Sequence, residues 1–444
     1  MAEDVLELIR RHGWSATSFQ ILEPGYRYWF GDDACVAYVD TGRAWVAAGP
    51  PIAAQAALAD VTAAFMRAAR EAGRKAVFFG VEAGFVAASG LPSFKVGEQP
   101  TWDPVAWSDG VRASRSIREQ LRRARSQGVT VRAVTSGEIR PGAPLRVAID
   151  GLVKRWLASR AMAPMGFLVD VEPYGFAEER RYWVAERAGV LVGLAIAVPV
   201  YGRDGWHIED LLRAPDAPKG TNVMLVDQAM RAFAREGSRY VTLGMVPLAG
   251  VDRWLAKVRD ASRTLYDFAG LDTFKSRLRP HRRDDVLVAH APNMRPLFAI
   301  QAVLTAFARG SLVRFGVATV TRGGPVALRT LAALLVPWTI LVAFASARWF
   351  PSTTVKLGWI ALDGAIVVGL FALAARYRAS LGLGVALAVS VDVVLTIVQA
   401  ITWNWPRQAH ASDAFIIAIA CLAPALGAVV TWGAYRRMRT LSGP

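Results

Sequence analysis

The chain has 444 residues, more than one ordinary domain holds, with 53% hydrophobic residues and a formal net charge of +16. Its two cysteines, Cys35 and Cys421, lie far apart in no metal-like spacing, which argues against a disulfide framework or a zinc site and fits a reducing compartment. A basic balance of this size suits a polyanion, either nucleic acid or an anionic membrane surface; an arginine-rich surface without a partner gives the same total, so the placement of the charge decides.

Residues 1–13 read as a short amphipathic helix carrying acids, not as a signal peptide. Residues 1–107 make a first α/β unit. Strands at 35–39 and 43–48 form a hairpin around Asp40-Thr41-Gly42, and Gly49-Pro50-Pro51 then breaks the chain. Residues 53–72 carry helical periodicity through Leu58, Val61, Phe65 and Ala68, with Gly73 as the stop, and 76–80 make a third strand. The run Phe94-Lys95-Val96-Gly97-Glu98 follows. Glu98 stands alone as a candidate acid, so a supporting or degenerate half is expected.

Residues 108–293 make a second α/β unit, opening on the most basic stretch. Residues 112–128 form a predicted helix with a capping box at Ser116 and Glu119 and a stop at Gly128. Arg115, Arg118, Arg122 and Arg125 fall on one stripe, while Ile117, Leu121 and Ala124 face a core. The stripe suits a phosphate track or an ordinary solvated face, and both readings stand. A helix at 145–160 precedes a loop with Met162, Pro164, Met165 and Gly166, either core filler or a lid over apolar substrate. Three strands follow as a meander, at 181–187, 190–201 and 206–213.

The stretch 206–250 is the candidate site. The strand at 206–213 ends with Glu209 and Asp210, a Pro/Gly-rich loop at 214–220 opens onto a helix at 221–236, and a further strand at 240–244 closes in a Gly-Met-Val-Pro turn. Free backbone N–H groups at Gly220, Thr221 and Asn222 are expected to point into the gap between the strands. The helix is expected to bury Val223, Val226, Met230 and Phe233. A meander, loop, helix and strand in this order is that of the GNAT acyltransferase fold, whose fourth and fifth strands splay around the transferred carbonyl.

Here the residues resemble a known family. The runs 243–250 (LGMVPLAG) and 270–277 (GLDTFKSR) are similar to signature runs of the catalytic domain of phosphatidylglycerol lysyltransferases. Asp210-Leu211-Leu212-Arg213 with Pro218-Lys219-Gly220 resembles that family's acid-plus-glycine segment, and Lys95-Val96-Gly97-Glu98 its Lys-Leu-Gly-Glu run. The resemblance covers roughly residues 19–291 and implies α/β, tandem GNAT-like halves. Two positions depart from the pattern: Val223 stands where the family usually has an Asp, and the apolar helices follow the catalytic part instead of preceding it.

From about Met294 the composition changes. Residues 294–329 are apolar but carry Arg295, Arg309, Arg314 and Arg322, which suits a helix or two lying on a membrane surface. Within 330–440 come four apolar runs, at 330–347, 357–375, 381–403 and 414–435, a C-terminal bundle of about four transmembrane helices. Arg322, Arg329, Arg376, Arg378, Arg436, Arg437 and Arg439 fall on one side and Arg348, Lys356 and Arg407 on the other. The positive-inside rule then puts the catalytic part and the C-terminus in the cytoplasm, in a multi-pass protein of the cell membrane. Asp392, near the middle of the third run, suits either a structural interhelix hydrogen bond or a role toward a headgroup or transported group.

Acyl or aminoacyl transfer requires a base, an oxyanion donor and a place for phosphates. Asp210 is the expected group to orient or deprotonate the acceptor, with Glu209 as its substitute; a capping role for Asp210, or a pair with Arg213, is the structural alternative. Backbone N–H groups at Gly244 are expected to polarise the carbonyl. Arg213, Lys219 and Lys275 are expected to bind phosphates. Gly220, Thr221, Pro247, Arg277 and Glu98 complete the expected substrate contacts. The Ala-Pro-Lys-Gly-Thr-Asn loop is a poor match to a coenzyme A cradle, whereas the Arg115–Arg125 stripe offers a track for tRNA. The five histidines have no metal or triad spacing, so no metal and no cofactor beyond aminoacyl-tRNA as co-substrate is expected, and no DNA. The reading is a membrane-bound aminoacyltransferase that moves an aminoacyl group from tRNA to an anionic phospholipid such as phosphatidylglycerol, lowering the surface's negative charge. The alternatives are an acyl-CoA-dependent N/O-acyltransferase acting on an amino lipid and a non-catalytic module that binds lipid or tRNA.

Overall fold

The computed structural model describes residues 2–261 and 267–442. It divides into two compact units, Met1–Trp156 with Pro164–Leu312, and Leu157–Ala163 with Val313–Pro444.

The first unit is built on one mixed sheet of twelve strands: β1 Arg27–Gly31, β2 Ala34–Asp40, β3 Ala44–Ala48, β4 Lys75–Val81, β5 Ser93–Trp102, β6 Val129–Val134, β7 Arg181–Arg187, β8 Val190–Val200, β9 Gly205–Arg213, β10 Tyr240–Thr242, β11 Val246–Pro247 and β12 Arg282–His290. Their spatial order is β1-β2-β3-β4-β12-β5-β10-β9-β8-β7-β6, with β11 also on β5. The order contains the same device twice. An antiparallel run (β1 to β3, then β6 to β9) is followed by a helix and a parallel strand, β4 on β3 and β10 on β9. The crossing helices are Leu58–Glu71 and Thr221–Arg235. The fold is a tandem GNAT arrangement.

The two halves exchange their last strands. β5, which ends the first half in sequence, pairs with β10 of the second, and β12 returns to lie between β4 and β5. A cut near residue 107 therefore separates the halves in sequence but not in space. Strands β1, β6 and β12 are absent from the sequence reading; β1 is short and Arg282-Arg283-Asp284-Asp285 opens β12 with charge, which hides these two from hydropathy, whereas the alternating Val129–Val134 of β6 carries a legible pattern that the sequence reading missed.

Local patterning explains the helices. In Thr221–Arg235 the expected Val223, Val226, Met230 and Phe233 are all buried, and Phe233 stacks on Trp206 at 5.1 Å and meets Trp183 edge-on at 5.3 Å. Burial of each such large side chain contributes roughly 1.5–3 kcal/mol. Helix Arg115–Ser126 buries Ile117, Leu121 and Ala124 and exposes its arginines. Its cap differs from expectation: Ser114 accepts from the Ile117 N–H, and Glu119 pairs with Arg122 at 2.7 Å. Ser114 wins because it already holds the extended backbone that an N-cap needs, φ −105° and ψ 105°.

Residues 294–329 hold two helices, Pro296–Phe307 and Leu312–Thr321, and the start of a third. Helix Pro296–Phe307 builds Ala299, Ala302, Val303 and Ala306 into the core of the first unit. The second unit carries four helices long and apolar enough to cross a membrane: Pro325–Phe344, Thr353–Ala375, Ala379–Arg407 and Ala411–Leu441. Leu328, Ile366, Leu370, Val389, Val430 and Met438 form the core between them. Asp392 accepts from Thr396 one turn along its own helix, at 3.3 Å, whereas the interhelix contact belongs to Asp363, which faces Thr339 at 3.5 Å.

Candidate active site

Strands β9 and β10 run together for only three residue pairs, ending at His207 and Thr242. Beyond that point they part. β10 turns at Gly244, whose φ of +75° places it in the region that glycine enters without strain, and the chain leaves to pair with β5 as β11. β9 continues to Arg213 on β8 alone, with a bulge between Ile196 and Ala197. The expected splay is present, and Glu209 and Asp210 lie on β9 just past the split.

What sits there is a buried carboxyl cluster. Glu209 accepts from the Arg180 guanidinium at 2.5 Å, and the two side chains are 4% and 2% exposed. Arg180 also donates Nε–H to the Gly175 carbonyl at 2.7 Å and lies over the Phe19 ring, with Cζ 5.3 Å from its centre. Glu23, from the first half, lies within hydrogen-bond reach of Glu209. Two carboxylates bond each other only when one carries a proton. Burial, then the charge of Glu209, raises Glu23 to about 10, so Glu23 is the protonated member. Burial also works against ionisation of Glu209, but the Arg180 charge and the Glu23 proton hold it below its ordinary range.

Asp210, the next residue on β9, is buried as well. Burial, then Glu209, pushes its carboxyl up to about 8, and Arg180 only partly offsets this. Apart from the proton that Glu23 carries, no donor among the described residues reaches Glu23 Oε1, Glu209 Oε1 or Asp210 Oδ2. Three buried carboxyls that share one guanidinium charge and the Glu23 proton are costly unless a cationic or hydroxyl-bearing ligand supplies further partners.

The walls are strained and aromatic. The Tyr26 hydroxyl accepts from the Leu168 N–H at 2.8 Å, and Gln20 donates to the Leu168 carbonyl at 3.0 Å. Phe167 and Leu168 hold φ of +51° and +58°, which costs of order 1 kcal/mol or more each in non-glycine residues and persists only where the surroundings over-determine it. In this loop Ala163, Phe167 and Leu168 are buried, while Met162 and Met165 stay half-exposed. His207, at the split, sets its Nδ1 3.1 Å from the Ala16 carbonyl and packs its Nε2 against Gly244. Burial, opposed by Glu209, pushes His207 down to about 4, so the ring is neutral and Nδ1–H is the donor.

Several expected ligand groups are occupied within the chain. The Gly244 N–H, the expected oxyanion donor, donates to Thr242 Oγ1 at 3.1 Å. Lys275 is buried, and its ammonium donates to the Leu243, Gly244 and Met245 carbonyls at 2.7, 2.8 and 3.0 Å. All three of its donors hold the turn, leaving none for a phosphate. Burial, then the Arg283 charge, lowers it to about 7. Gly220, φ +96°, lies against the Gln120 carbonyl, where a Cβ would collide; the helix Arg115–Ser126 therefore covers this helix start. Thr221 is fully buried, with its Oγ1–H donating back to the Pro218 carbonyl at 2.7 Å. Of the amides expected to face the gap, the Thr221 N–H donates to the Pro218 carbonyl at 3.3 Å. Arg213 is half-exposed at the end of β9, Lys219 is exposed, and Arg277 is exposed on helix Phe268–Arg277.

The remaining motif residues form a second cluster that braces the turn. Glu98 accepts from Lys95 and from Arg283, both at 3.0 Å, and Arg283 also pairs with Asp272 at 3.0 Å. Val246 and Pro247 of β11 pair with Glu98 and Gly97 of β5, and the run ends at Gly250 against the Glu98 carboxylate. The three runs quoted above, 95–98, 243–250 and 270–277, therefore converge on one place. Sequence reasoning missed Glu23 and Arg180. A lone Glu before Pro-Gly and an Arg in an arginine-rich run carry no spacing signal toward β9.

Residues 6–289 match the model of the family described as phosphatidylglycerol lysyltransferase, C-terminal. The C-terminal domain of a putative lysylphosphatidylglycerol synthetase from Agrobacterium fabrum is similar at 22% identity over 70% of this chain and 98% of that one, with a TM-score of 0.61. The structure of L-PGS from Bacillus licheniformis is similar at 20% identity over 69% of this chain and 96% of that one, with a TM-score of 0.60. At these identities the likeness is one of fold. No curated protein matches the chain.

Proposed function

The chain belongs to the phosphatidylglycerol lysyltransferase C-terminal family, and from that membership we propose that it is a membrane-attached transferase that moves an aminoacyl group from aminoacyl-tRNA to the hydroxyl of an anionic phospholipid such as phosphatidylglycerol. The observation that carries this reading is the carboxyl cluster at the β9/β10 split, with donorless oxygens on Glu23, Glu209 and Asp210 and the one guanidinium of Arg180.

An aminoacyl ester brings what that cluster lacks. Its ammonium supplies N–H donors and a positive charge to the buried carboxyls, and a lipid hydroxyl supplies a further donor. In the step proposed, the lipid hydroxyl oxygen attacks the ester carbonyl while its proton passes to Asp210. The tetrahedral intermediate then expels the terminal ribose oxygen of the tRNA, which takes that proton back; one ester bond forms and one breaks. A carboxyl poised near neutral pH is matched to accept and return a proton. Glu209, locked by Arg180 and Glu23, would hold the ammonium, and His207 and Arg180 act as positioning residues.

The donor reading rests on charge. Arg115, Arg118, Arg122 and Arg125 lie exposed on one helix face, which supports a track for an acceptor stem. The four apolar helices support membrane attachment, and the arginine distribution favours the transferase unit and the C-terminus on the cytoplasmic side. The deciding experiment supplies labelled aminoacyl-tRNA and phosphatidylglycerol vesicles to the reconstituted full chain. The expected product is labelled lipid whose formation RNase abolishes. Label arriving from acyl-CoA, insensitive to RNase, would replace the donor; no transfer from either donor would leave a binding module.

A further inference from the structure

Helix Pro296–Phe307 has two unlike faces. Its inner face (Ala299, Ala302, Val303 and Ala306) packs on β3, β4 and β12, and Phe307 closes it with edge-on contacts to Phe79 at 5.2 Å and Phe167 at 5.3 Å. The outer face is apolar as well, and open: Leu297, Phe298 and Leu304 are 68, 51 and 49% exposed, with Gln301 the polar side chain among them. A helix on the surface of a soluble unit normally sets charged residues there. This one carries none between Arg295 and Arg309, which mark its two ends.

We infer that this outer face is seated in the interfacial region of an anionic lipid bilayer, so that the first unit contacts the membrane through its own core helix. Three observations favour lipid over a protein partner. The chain has no Asp or Glu between Asp285 and Asp363, while Arg295, Arg309, Arg314, Arg322 and Arg329 lie ahead of or at the start of the first apolar span, a charge pattern that complements acidic headgroups. The helix leads within a few turns to Pro325–Phe344, itself apolar and long enough to cross a membrane. Its twelve residues span about 18 Å, short of the roughly 30 Å of a hydrocarbon core; the following helix Leu312–Thr321 would add the missing length but is bent from it by 51°, and the inner half of Pro296–Phe307 is already committed to the sheet. It lies on the bilayer instead of crossing it. This inference goes beyond the transfer reaction and does not depend on it.

The test uses the full chain with Cys35→Ala and Cys421→Ala, reconstituted in vesicles of phosphatidylglycerol and phosphatidylcholine, with a spin label at Leu297→Cys, Leu304→Cys or, as a reference on the exposed end of another helix, Glu71→Cys. Labels at 297 and 304 are expected to collide several-fold more with dissolved oxygen than with a water-soluble nickel chelate, and the label at 71 the reverse. Equal nickel access at all three sites overturns the inference. Shielding of 297 and 304 from both reagents also overturns it, in favour of a protein contact such as a second copy. Gln301→Cys, which removes no apolar side chain, gives the same reading should either leucine variant misfold. Because collision rates are read without turnover, a protein that inserts this face but transfers nothing would sink the proposed function and leave the docking intact.

Discussion

Glu23 and Glu209 meet carboxyl to carboxyl in a buried site although they belong to opposite halves of the chain, and Arg180 neutralises only Glu209. This pair makes the stability of the fold depend on pH. A carboxyl raised by burial from its ordinary value to about 10 contributes stability that is complete below its unfolded range and lost as pH rises through the folded value. The Glu23 contribution to thermal stability should therefore be lost toward alkaline pH. Glu23→Gln keeps a donor toward Glu209 and cannot ionise, so its Tm should fall less steeply between about pH 6 and about pH 9. Parallel slopes for the two proteins would remove Glu23 from this role.

Asp210 should govern the rate. With its carboxyl at about 8, the fraction able to accept a proton grows through that region, so single-turnover transfer should rise with pH and level off above it. Asp210→Asn should lower transfer by about 10²- to 10⁴-fold with little loss of fold, because the amide matches the neutral acid that burial already favours. If the variant retains wild-type turnover, the base lies elsewhere.

Lys275 separates a structural from a ligand role. Lys275→Met leaves the Leu243, Gly244 and Met245 carbonyls without their donor and should destabilise the protein by roughly 2–5 kcal/mol, measured by denaturant unfolding of the solubilised chain. Burial lowers this ammonium to about 7, so the Lys275 contribution to stability should weaken as pH falls from the ordinary lysine range to that value, a dependence the methionine variant should lack. Unchanged unfolding together with weakened lipid binding would return Lys275 to the phosphate role.

The arginine stripe is a question of salt. Arg118→Glu with Arg122→Glu should weaken tRNA binding and flatten the dependence of log affinity on log salt by about one unit per lost phosphate contact. Arg122 already pairs with Glu119, so a smaller effect at 122 than at 118 is expected from the single variants. Identical salt slopes for the double variant and wild type would make the stripe a solvated face.

Much of this architecture was legible locally. The buried positions of Thr221–Arg235, the β2/β3 hairpin, the β7 to β9 meander and the four apolar helices all follow from neighbours two to four residues apart, which set side-chain periodicity and hydropathy. Glu209 and Asp210 could be placed on the right strand because that strand's pattern is strong. The partners of those acids could not, because Glu23 and Arg180 reach them only through packing of distant segments, and pairing across a sheet leaves no mark in spacing.

The same limit explains the reassigned groups. Lys275, Gly220 and Gly244 have the residue types of a phosphate and oxyanion site, yet their donors or space are taken by carbonyls and side chains from elsewhere in the fold. Sequence alone determined the helix Thr221–Arg235, the β7 to β9 meander and the apolar spans, since those preferences are carried by adjacent residues. The exchange of β5 and β12 between the halves, the proton shared by Glu23 and Glu209, and the outward face of Pro296–Phe307 were decided only by tertiary structure, because each depends on which distant surface covers a group and thereby sets its solvation and charge.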